Sequence, residues 1–369
     1  MKIRAFEPED VAAVASLWQY WFKDKTRTPD PRLVALATRI YVDDPNTDGE
    51  IRPLVAVDDA GAMLGFLGTS VTPIVVDGRE GKLAGVFPSV VSPDAPTTVA
   101  AFLLRKFLAG PQDFTFSDGG HVKFERIWEL LGGRIMQLQS LRWVKLLRPG
   151  AVGLGAVAGR RASVAALAPV LRPLVGGGDQ LARRAMRTRL RAPAGSGDYV
   201  TEPLTPQLMA SAAPEVLGKA RLRPRYLEAH VAWQQREMAK IVEQGEFRAR
   251  LVRNLKGAAV GWYVYYLKAG GVSRVYDVEA LPQHLDGVVA ELFAEADAGG
   301  AGALIGRMEP RLRGVMNRHG ALVHNGGSLQ MAHARDATLL DDAELGRLAF
   351  SRLQGENWYW WAIDSRVVP

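Results

Sequence analysis

The sequence lacks several features that would assign it to a common class of protein. Its 369 residues include no cysteine, which excludes disulfide bonds and thiolate zinc sites. The six histidines show no HExxH or comparable spacing, so no metal site is predicted. There is no apolar run of about 18 residues, and Met1–Asp10 has no apolar core of the signal-peptide type. These absences predict a cytoplasmic protein without a metal.

The composition is that of a soluble globular chain. Hydrophobic residues make up 48% of the sequence and charged residues 23%. This length and balance predict two or three domains, each able to bury its own core.

A pattern of elements occurs twice, about 188 residues apart. In the first copy a strand at Asp113–Phe116 precedes a helical pattern that ends at Gly132. In the second copy a strand at Ala303–Gly306 precedes a helical pattern that ends at Gly320. The apolar helical positions are Phe124, Ile127, Trp128 and Leu131 in the first copy, and Leu312, Val315 and Met316, followed by His319, in the second. The repetition predicts two related halves.

The net positive charge is concentrated between these halves. Arg148–Arg191 contains nine arginines, no lysine and one acidic residue, whereas the whole chain carries a net charge of +7. Three interpretations remain open: a solvated linker, a segment that docks on an anionic membrane surface, and a nucleic-acid-binding segment. The segment has no interleaved aromatic residues for base stacking, which argues against nucleic acid.

The order of elements resembles the GNAT superfamily of acyl-CoA-dependent N-acyltransferases. An edge strand and helices precede an antiparallel meander, and a strand with a proline break then leads to a helix, a strand and a helix that ends in glycine. The stretches that carry the resemblance are Val91-Ser92-Pro93-Asp94, Phe116-Ser117-Asp118 and Ile127-Trp128-Glu129-Leu130-Leu131-Gly132-Gly133. The resemblance covers residues 1–147 and, more faintly, 198–369. A tandem layout is also similar to that of the Fem-type aminoacyl transferases.

The resemblance implies an α/β (α+β) chain of two tandem GNAT-like domains. Each would be a mixed, mostly antiparallel sheet flanked by helices. The predicted domains are residues 1–147 and 198–369, joined by an Arg-rich linker at residues 148–197.

The resemblance also implies that acyl-CoA is a co-substrate. Its pantetheine would enter as an extra strand between two parting parallel strands, and its pyrophosphate would bind at the start of the next helix. The implied binding residues are Val91, Ser92, Thr97, Thr98 and Arg105. The family's loop signature is degraded here, because Pro96 and Val99 replace two of its usual residues. In the second half Asp286 would repel a phosphate.

The positions of the family's usual general acid are also altered. A tyrosine often lies four residues before the glycine that ends the helix, where this sequence has Trp128 and Met316. Neither side chain has a titratable proton to donate. A tyrosine-acid mechanism is therefore not predicted at these positions.

Candidate bases occur in the second half. On a strand at Arg274–Glu279, alternation places Asp277 and Glu279 on one face, roughly 7 Å apart. Two carboxylates at this distance raise each other's pKa if they are buried; alternatively, both face water on an exposed sheet. His284 lies near the same predicted cleft, where a surface histidine is the alternative.

A second group of candidate catalytic residues follows the strand of the first half. Asp118, His121 and Glu125 are close in sequence, and His121 and Glu125 are expected one turn apart on a helix. The alternative is an ordinary helix N-terminus with Asp118 as its cap.

Aromatic clusters bear on the substrate. On Gly261–Leu267, one face would be core and the other could line an apolar pocket. Further clusters lie at Trp18–Phe22 and Trp358–Trp361. Because tryptophan and tyrosine also collect at lipid interfaces, these clusters favour a long-chain or lipid-like amine acceptor such as a sphingoid base, which would give a ceramide-like amide. A peripheral place on the inner face of the cytoplasmic membrane would follow.

Two other functions remain open. One is a non-catalytic GNAT-like adaptor that binds a membrane or a partner. The other is a Fem-like aminoacyl transfer from a charged tRNA.

Overall fold

A computed structural model describes residues 1–158, 175, 177–180, 197–355, 358 and 359. It divides the chain into two compact units. Unit 1 contains the described residues of Met1–Ser140, Ala220–Gln234 and Gly327–Val367. Unit 2 contains those of Leu141–Lys219 and Gln235–Gly326.

Unit 1 is built on a mixed sheet. Its strands are β1 (Lys2–Ala5), β2 (Leu54–Val57), β3 (Met63–Val76), β4 (Arg79–Val91), β5 (Phe114–Gly120), β6 (Arg134–Ile135), β9 (Leu222–Pro224) and β15 (Leu329–Ala334). They are ordered β1-β2-β3-β4-β5-β15-β6, and β9 pairs with β3. Strands β4 and β5 run parallel, and the other described neighbours are antiparallel.

Unit 2 repeats this arrangement. Its strands are β7 (Leu141–Leu146), β8 (Tyr199–Pro203), β10 (Glu246–Asn254), β11 (Ala259–Leu267), β12 (Val272–Ala280), β13 (Ala303–Arg307) and β14 (Leu322–Asn325). They are ordered β8-β10-β11-β12-β13-β7-β14, with β12 and β13 as the parallel pair. The predicted mixed, mostly antiparallel sheets are therefore confirmed in both units.

The helices at Pro31–Tyr41, Thr98–Leu108 and Leu285–Ala298 fall where the apolar spacing predicts them. The helices of the described residues are α1 (Val11–Trp18), α2 (Pro31–Tyr41), α3 (Thr98–Leu108), α4 (Glu125–Leu130), α5 (Pro149–Ala158), α6 (Pro206–Val216), α7 (Glu228–Ala239), α8 (Leu285–Ala298), α9 (Arg313–Arg318) and α10 (Thr338–Glu344). A π-helical stretch at Gln19–Asp24 continues α1. The start of α2 shows the local cause, because the Asp30 side chain accepts a hydrogen bond from the Arg32 amide and Pro31 occupies the first turn.

Each sheet is completed by a strand from the other half of the sequence. Strand β7 follows β6 in the chain, yet it pairs with β13 and β14 in unit 2. Strand β15 follows β14, yet it pairs with β5 and β6 in unit 1. The compact units therefore differ from residues 1–147 and 198–369, because β7 belongs to unit 2, whereas Ala220–Gln234, which contains β9, and the described residues from Gly327 onward belong to unit 1. The boundaries drawn from the sequence stay a prediction about the repeated order of elements.

The core of unit 1 lies on both faces of its sheet. Ala84 packs in one cluster with Val99 and Leu103 of α3, and Leu83 packs in another with Phe350. Neighbouring residues of a strand point to opposite faces. Both faces of β4 are therefore covered by apolar side chains.

Most of the Arg-rich segment lies outside the described residues. Arg148 is described, and its guanidinium donates to the carbonyls of Asp297 and Ala301 at 2.8 and 2.6 Å. Among the residues that the structure describes, no helix is long and apolar enough to cross a membrane. Trp360 and Trp361 of the last aromatic cluster also lie outside the described residues.

Candidate active site

The parallel strands of unit 1 part to form a fork. The described pairing of β4 with β5 ends at Gly85 and Phe116. Beyond that pair, β4 continues to Val91 and β5 to Gly120. The edges of the two strands that face the fork carry backbone donors and acceptors that no longer bond to each other.

A β-bulge bends β4 just beyond the fork. The pairs on either side of the bulge are Leu67–Ser89 and Thr69–Val86. Within the bulge, the Phe87 carbonyl accepts hydrogen bonds from the hydroxyls of Tyr41 at 3.3 Å and Tyr359 at 3.0 Å. A Cβ on Gly68 would lie 2.2 Å from Tyr41 Oη, so only glycine permits this close approach. Two tyrosines thus fix the bulge.

Asp118 lies on β5 within the fork. The strand extends to Gly120, so Asp118 is a strand residue and the proposed helix-cap alternative is wrong. Its side chain is 1% exposed, and Arg352 Nε lies 3.3 Å from its carboxylate. Asp118 points to the same face of the sheet as Phe116, because side chains two residues apart on a strand share a face. The structure thus provides a buried carboxylate next to the point where the strands part.

The two other candidates of the first half are less enclosed. His121 is exposed and precedes the 3₁₀ turn at Val122–Phe124, so it is not on the helix with Glu125, contrary to the sequence-based expectation. Glu125 is the first residue of α4 and is half-buried. Their catalytic roles stay predictions.

The N-terminus of α3 lies directly after the fork strand β4. Thr97 and Thr98 are exposed, and Thr97 makes no capping hydrogen bond. The first amides of a helix have no acceptor within the helix. Ser92, another predicted coenzyme-binding residue, uses its backbone amide within the sheet, where it donates to the Leu64 carbonyl at 2.8 Å. Arg105 lies in the last turn of α3, away from the threonines.

Unit 2 contains a second fork with a similar bulge. The pairing of β12 with β13 ends at Arg274 and Ile305. The pairs on either side of the bulge are Val264–Asp277 and Tyr265–Val275. Tyr276 is therefore the extra residue.

The predicted carboxylates of unit 2 are buried, and the solvent-exposed alternative is wrong. Asp277 and Glu279 are 2% and 4% exposed. Trp262 Nε1 donates to Asp277 at 2.7 Å, and Arg311 donates to Glu279 at 2.8 Å. Burial raises the pKa of Glu279 well above its usual value; the nearby charge of Asp277 adds to this shift and that of Arg311 opposes it.

Arg311 fills the fork of unit 2. Its guanidinium donates to the Val278 carbonyl at 2.7 Å and to Glu309 at 2.7 Å, in addition to Glu279. Arg307, which is 6% exposed, lies 3.5 Å from Glu309. Charged side chains thus occupy the space between β12 and β13.

The start of α8, which follows the fork of unit 2, is covered. The Tyr199 ring lies so close that a Cβ on Gly287 would be 2.2 Å from it. Its hydroxyl is 3.0 Å from His284 Nδ1. Asp286 is in the first turn and forms an ion pair with Arg318 at 2.8 Å. The predicted candidate His284 therefore packs against tyrosine at this helix end.

The aromatic strand lines no pocket. Trp262, Tyr263, Tyr265 and Tyr266 are all fully buried. Tyr263 donates to Glu295 and Tyr266 to the Met238 carbonyl, both at 2.7 Å. The expectation that one face of this strand is open to substrate is wrong. Trp128 and Met316 are likewise core residues, 3% and 0% exposed.

Unit 1 also contains a buried carboxylate–imidazole pair that the sequence pattern does not predict. Asp44 Oδ1 lies 3.1 Å from His230 Nδ1, and the two side chains are 8% and 13% exposed. The imidazole also packs against Trp233, with ring centroids 5.5 Å apart. A carboxylate at one ring nitrogen orients the other as a hydrogen-bond acceptor. No motif marks this pair, because its members are far apart in sequence.

The sequence pattern also does not predict the contacts made by Arg352 and Tyr359 in unit 1. They lie beyond the repeated pattern of elements, so the repeat gave no signal for them. Within the described part of the chain, no group of three or more histidine, aspartate or glutamate residues could hold a metal ion.

Comparisons with known proteins connect this geometry to one fold. No family model matches the chain, and no curated protein matches it. It is similar to the structure of a conserved protein of unknown function from Enterococcus faecalis, described as a probable N-acyltransferase (TM-score 0.55, 10% identity, 94% of this chain and 73% of that one). It is also similar to a GCN5-related N-acetyltransferase from Kribbella flavida (TM-score 0.55, 15% identity, 93% and 74%). A third similar structure is Saccharomyces cerevisiae N-myristoyltransferase with bound myristoyl-CoA (TM-score 0.50, 8% identity, 90% and 77%).

These likenesses show the fold of the chain. It has the fold of the GCN5-related N-acetyltransferases, as the sequence resemblance implied. Its two mixed sheets form two GNAT-like domains.

Proposed function

We propose that the protein is an acyl-CoA-dependent N-acyltransferase whose acyl donor binds in the fork of unit 1. The supporting observation is the parting of β4 and β5 directly before the N-terminus of α3. An extended pantetheine could add to the open strand edge. The pyrophosphate would then meet the amides of the helix start and the exposed hydroxyls of Thr97 and Thr98.

The second fork is less suited to the same ligand. Asp286 places a carboxylate in the first turn of α8, where it would repel phosphate. Tyr199 covers that helix end, and Arg311 fills the fork. Unit 2 therefore fits the non-catalytic alternative, whereas unit 1 fits acyl transfer.

The proposed reaction needs little covalent help from the protein. The amine nitrogen attacks the thioester carbonyl, the new C–N bond forms and the C–S bond breaks. The amine loses a proton to a base, and the coenzyme leaves as a thiolate that takes up a proton. Asp118, buried on β5 and held by Arg352, is the proposed group that orients the acceptor ammonium and accepts its proton.

The acceptor is proposed from the sequence alone. A long-chain or lipid-like amine such as a sphingoid base is supported by the Arg-rich segment and its capacity to dock on an anionic membrane. The aromatic strand gives no support, because it is buried. A peripheral place on the cytoplasmic membrane is part of the same proposal.

The test is mass spectrometry of reactions with palmitoyl-CoA or acetyl-CoA and a panel of amines that includes a sphingoid base. Asp118→Asn should lower the rate about 10²- to 10⁴-fold, whereas Glu129→Gln, the same chemical change at a half-exposed residue of α4, should leave it unchanged. A loss with Glu279→Gln and not with Asp118→Asn would move the chemistry to unit 2. The absence of amide product from every donor and acceptor would favour the adaptor.

A separate arm tests the aminoacyl alternative. Thermal stabilisation by charged tRNA and not by coenzyme A would favour it, since a ligand at 100 times its Kd stabilises by about 2.7 kcal/mol.

A further inference from the structure

The backbone register shows which carbonyls of β4 face the fork of unit 1. The Ser92 amide bonds to the Leu64 carbonyl on β3, so this pair is a hydrogen-bonded one. In an antiparallel pair of strands, hydrogen-bonded and non-hydrogen-bonded residue pairs alternate. The preceding pair, Val91 and Gly65, is therefore non-hydrogen-bonded, and the backbone N–H and C=O of Val91 point away from β3. The Val91 carbonyl therefore points to the open side, where a pantetheine strand would pair.

A side chain already occupies that carbonyl. Trp21 Nε1 donates to Val91 O at 2.7 Å. Trp21 lies in the π-helical stretch Gln19–Asp24 and is 38% exposed. Its ring contacts the Tyr20 ring edge-on and the Lys25 ammonium, which is 4.6 Å from the ring centroid. The indole thus occupies an acceptor that the open strand edge offers to a ligand.

The fork of unit 2 carries a similar bond. The Leu281 amide bonds to the Val260 carbonyl, which by the same alternation turns the Val278 carbonyl to the open side. Arg311 donates to that carbonyl at 2.7 Å. Both forks are therefore occupied by a side-chain donor on the corresponding strand edge.

The two donors differ in how readily a ligand can displace them. The indole has one N–H, and the Trp21 side chain already reaches solvent, so it can exchange its bond for one to water at small net cost. Arg311 would have to leave two carboxylates in a mostly buried site, which breaks charge-assisted bonds that are much costlier to lose. Unit 1 can open to a ligand, whereas unit 2 stays closed.

We propose that Trp21 is a gate of the donor cleft in unit 1, and that its indole must release Val91 before the pantetheine of acyl-CoA can pair with β4. This inference rests on the proposed function. It assigns one coenzyme site per chain and makes Trp21 a residue that weakens, rather than provides, donor binding.

The test is calorimetric titration of the full chain with coenzyme A, together with association rates from stopped-flow mixing. Trp21→Phe keeps the ring and removes the N–H, so it should lower Kd about 3- to 10-fold and speed association. Tyr20→Phe, a matched change on the neighbouring ring, should alter neither. Thr98→Asp should abolish binding, whereas Gln283→Asp, at the start of the corresponding helix region in unit 2, should not.

The outcomes separate the two proposals. If the wild type binds coenzyme A and Trp21→Phe binds it equally or more weakly, the gate is refuted and the proposed function stands. A stoichiometry of two coenzyme A molecules per chain would refute the inference that the fork of unit 2 stays closed to the coenzyme. If neither the wild type nor Trp21→Phe binds coenzyme A, both proposals fall.

Discussion

Replacing Gly68 with alanine should loosen the bulge of β4 and destabilise unit 1. The new Cβ would lie 2.2 Å from Tyr41 Oη and 2.7 Å from the Phe87 carbonyl. Overpacking of this kind costs about 1–3 kcal/mol. Displacement of the tyrosine would also break its hydrogen bond to Phe87, worth about 1 kcal/mol. We therefore expect Gly68→Ala to lower the free energy of unfolding by about 2–4 kcal/mol.

A double-mutant cycle tests the cause of this effect. Tyr41→Phe alone should cost about 1 kcal/mol, because Phe87 keeps its bond from Tyr359. In the Tyr41→Phe background, Gly68→Ala should cost about 1–2 kcal/mol less than in the wild type, since the closest contact is gone. The measurement is urea denaturation, and Gly49→Ala, where a Cβ would meet nothing within 4 Å, is the control. Additive effects of the two changes would refute the steric argument.

Three further predictions concern unit 2 and the strand exchange. Because the folded-state pKa of Glu279 is raised, its contribution to stability should be lost as the pH rises from about 4.5 through that pKa, and Glu279→Gln should flatten the pH dependence of Tm. Burial lowers the pKa of Lys145 to about 8. When the pH is lowered from 10 to 8, the unfolded chain takes up a proton that the folded chain does not, so the free energy of unfolding should fall by at most about 1.4 kcal/mol per pH unit. Urea denaturation checks this, and a Lys145→Met variant with the same dependence of the unfolding free energy on pH would contradict it. A fragment of residues 1–147 lacks β15, which lies between β5 and β6, so circular dichroism and size exclusion should show an incomplete or aggregating fold that co-expression with residues 148–369 restores. A folded monomeric fragment would show that the exchanged strand is dispensable.

Local elements were predictable because their causes are local. The spacing of apolar residues and Pro31 predict a helix over Pro31–Tyr41, where the structure has α2. The dipeptide Asp77-Gly78 predicts a turn between two strands, and positive φ angles of 50° and 80° at these residues confirm it. The sequence pattern before this turn predicts separate strands at Ala62–Val71 and Thr72–Val76, whereas β3 runs unbroken from Met63 to Val76. It does so although it contains Pro73, because its pairing with β4 extends from Gly65 to Val76.

The site was only partly predictable. Alternation placed Asp277 and Glu279 on one face, and both are buried, as the catalytic interpretation required. The sequence did not show that Arg311 would bond to Glu279, because that contact joins separate elements. The hydrogen bonds from Trp21 to Val91 and from Arg352 to Asp118 were not predictable for the same reason, because each joins residues far apart in sequence.

By itself, the sequence determined the repeated order of elements, because hydrophobic periodicity and turn residues act over a few neighbouring positions. Only the tertiary structure decided which sheet each exchanged strand completes. Strands β7 and β15 are each six residues long, and the sequence of such a short strand does not specify its partner. Each pairs with strands that come next to it only in the folded chain. The tertiary structure also decided which fork can admit a ligand, since burial and charge at each fork depend on residues supplied from distant parts of the chain.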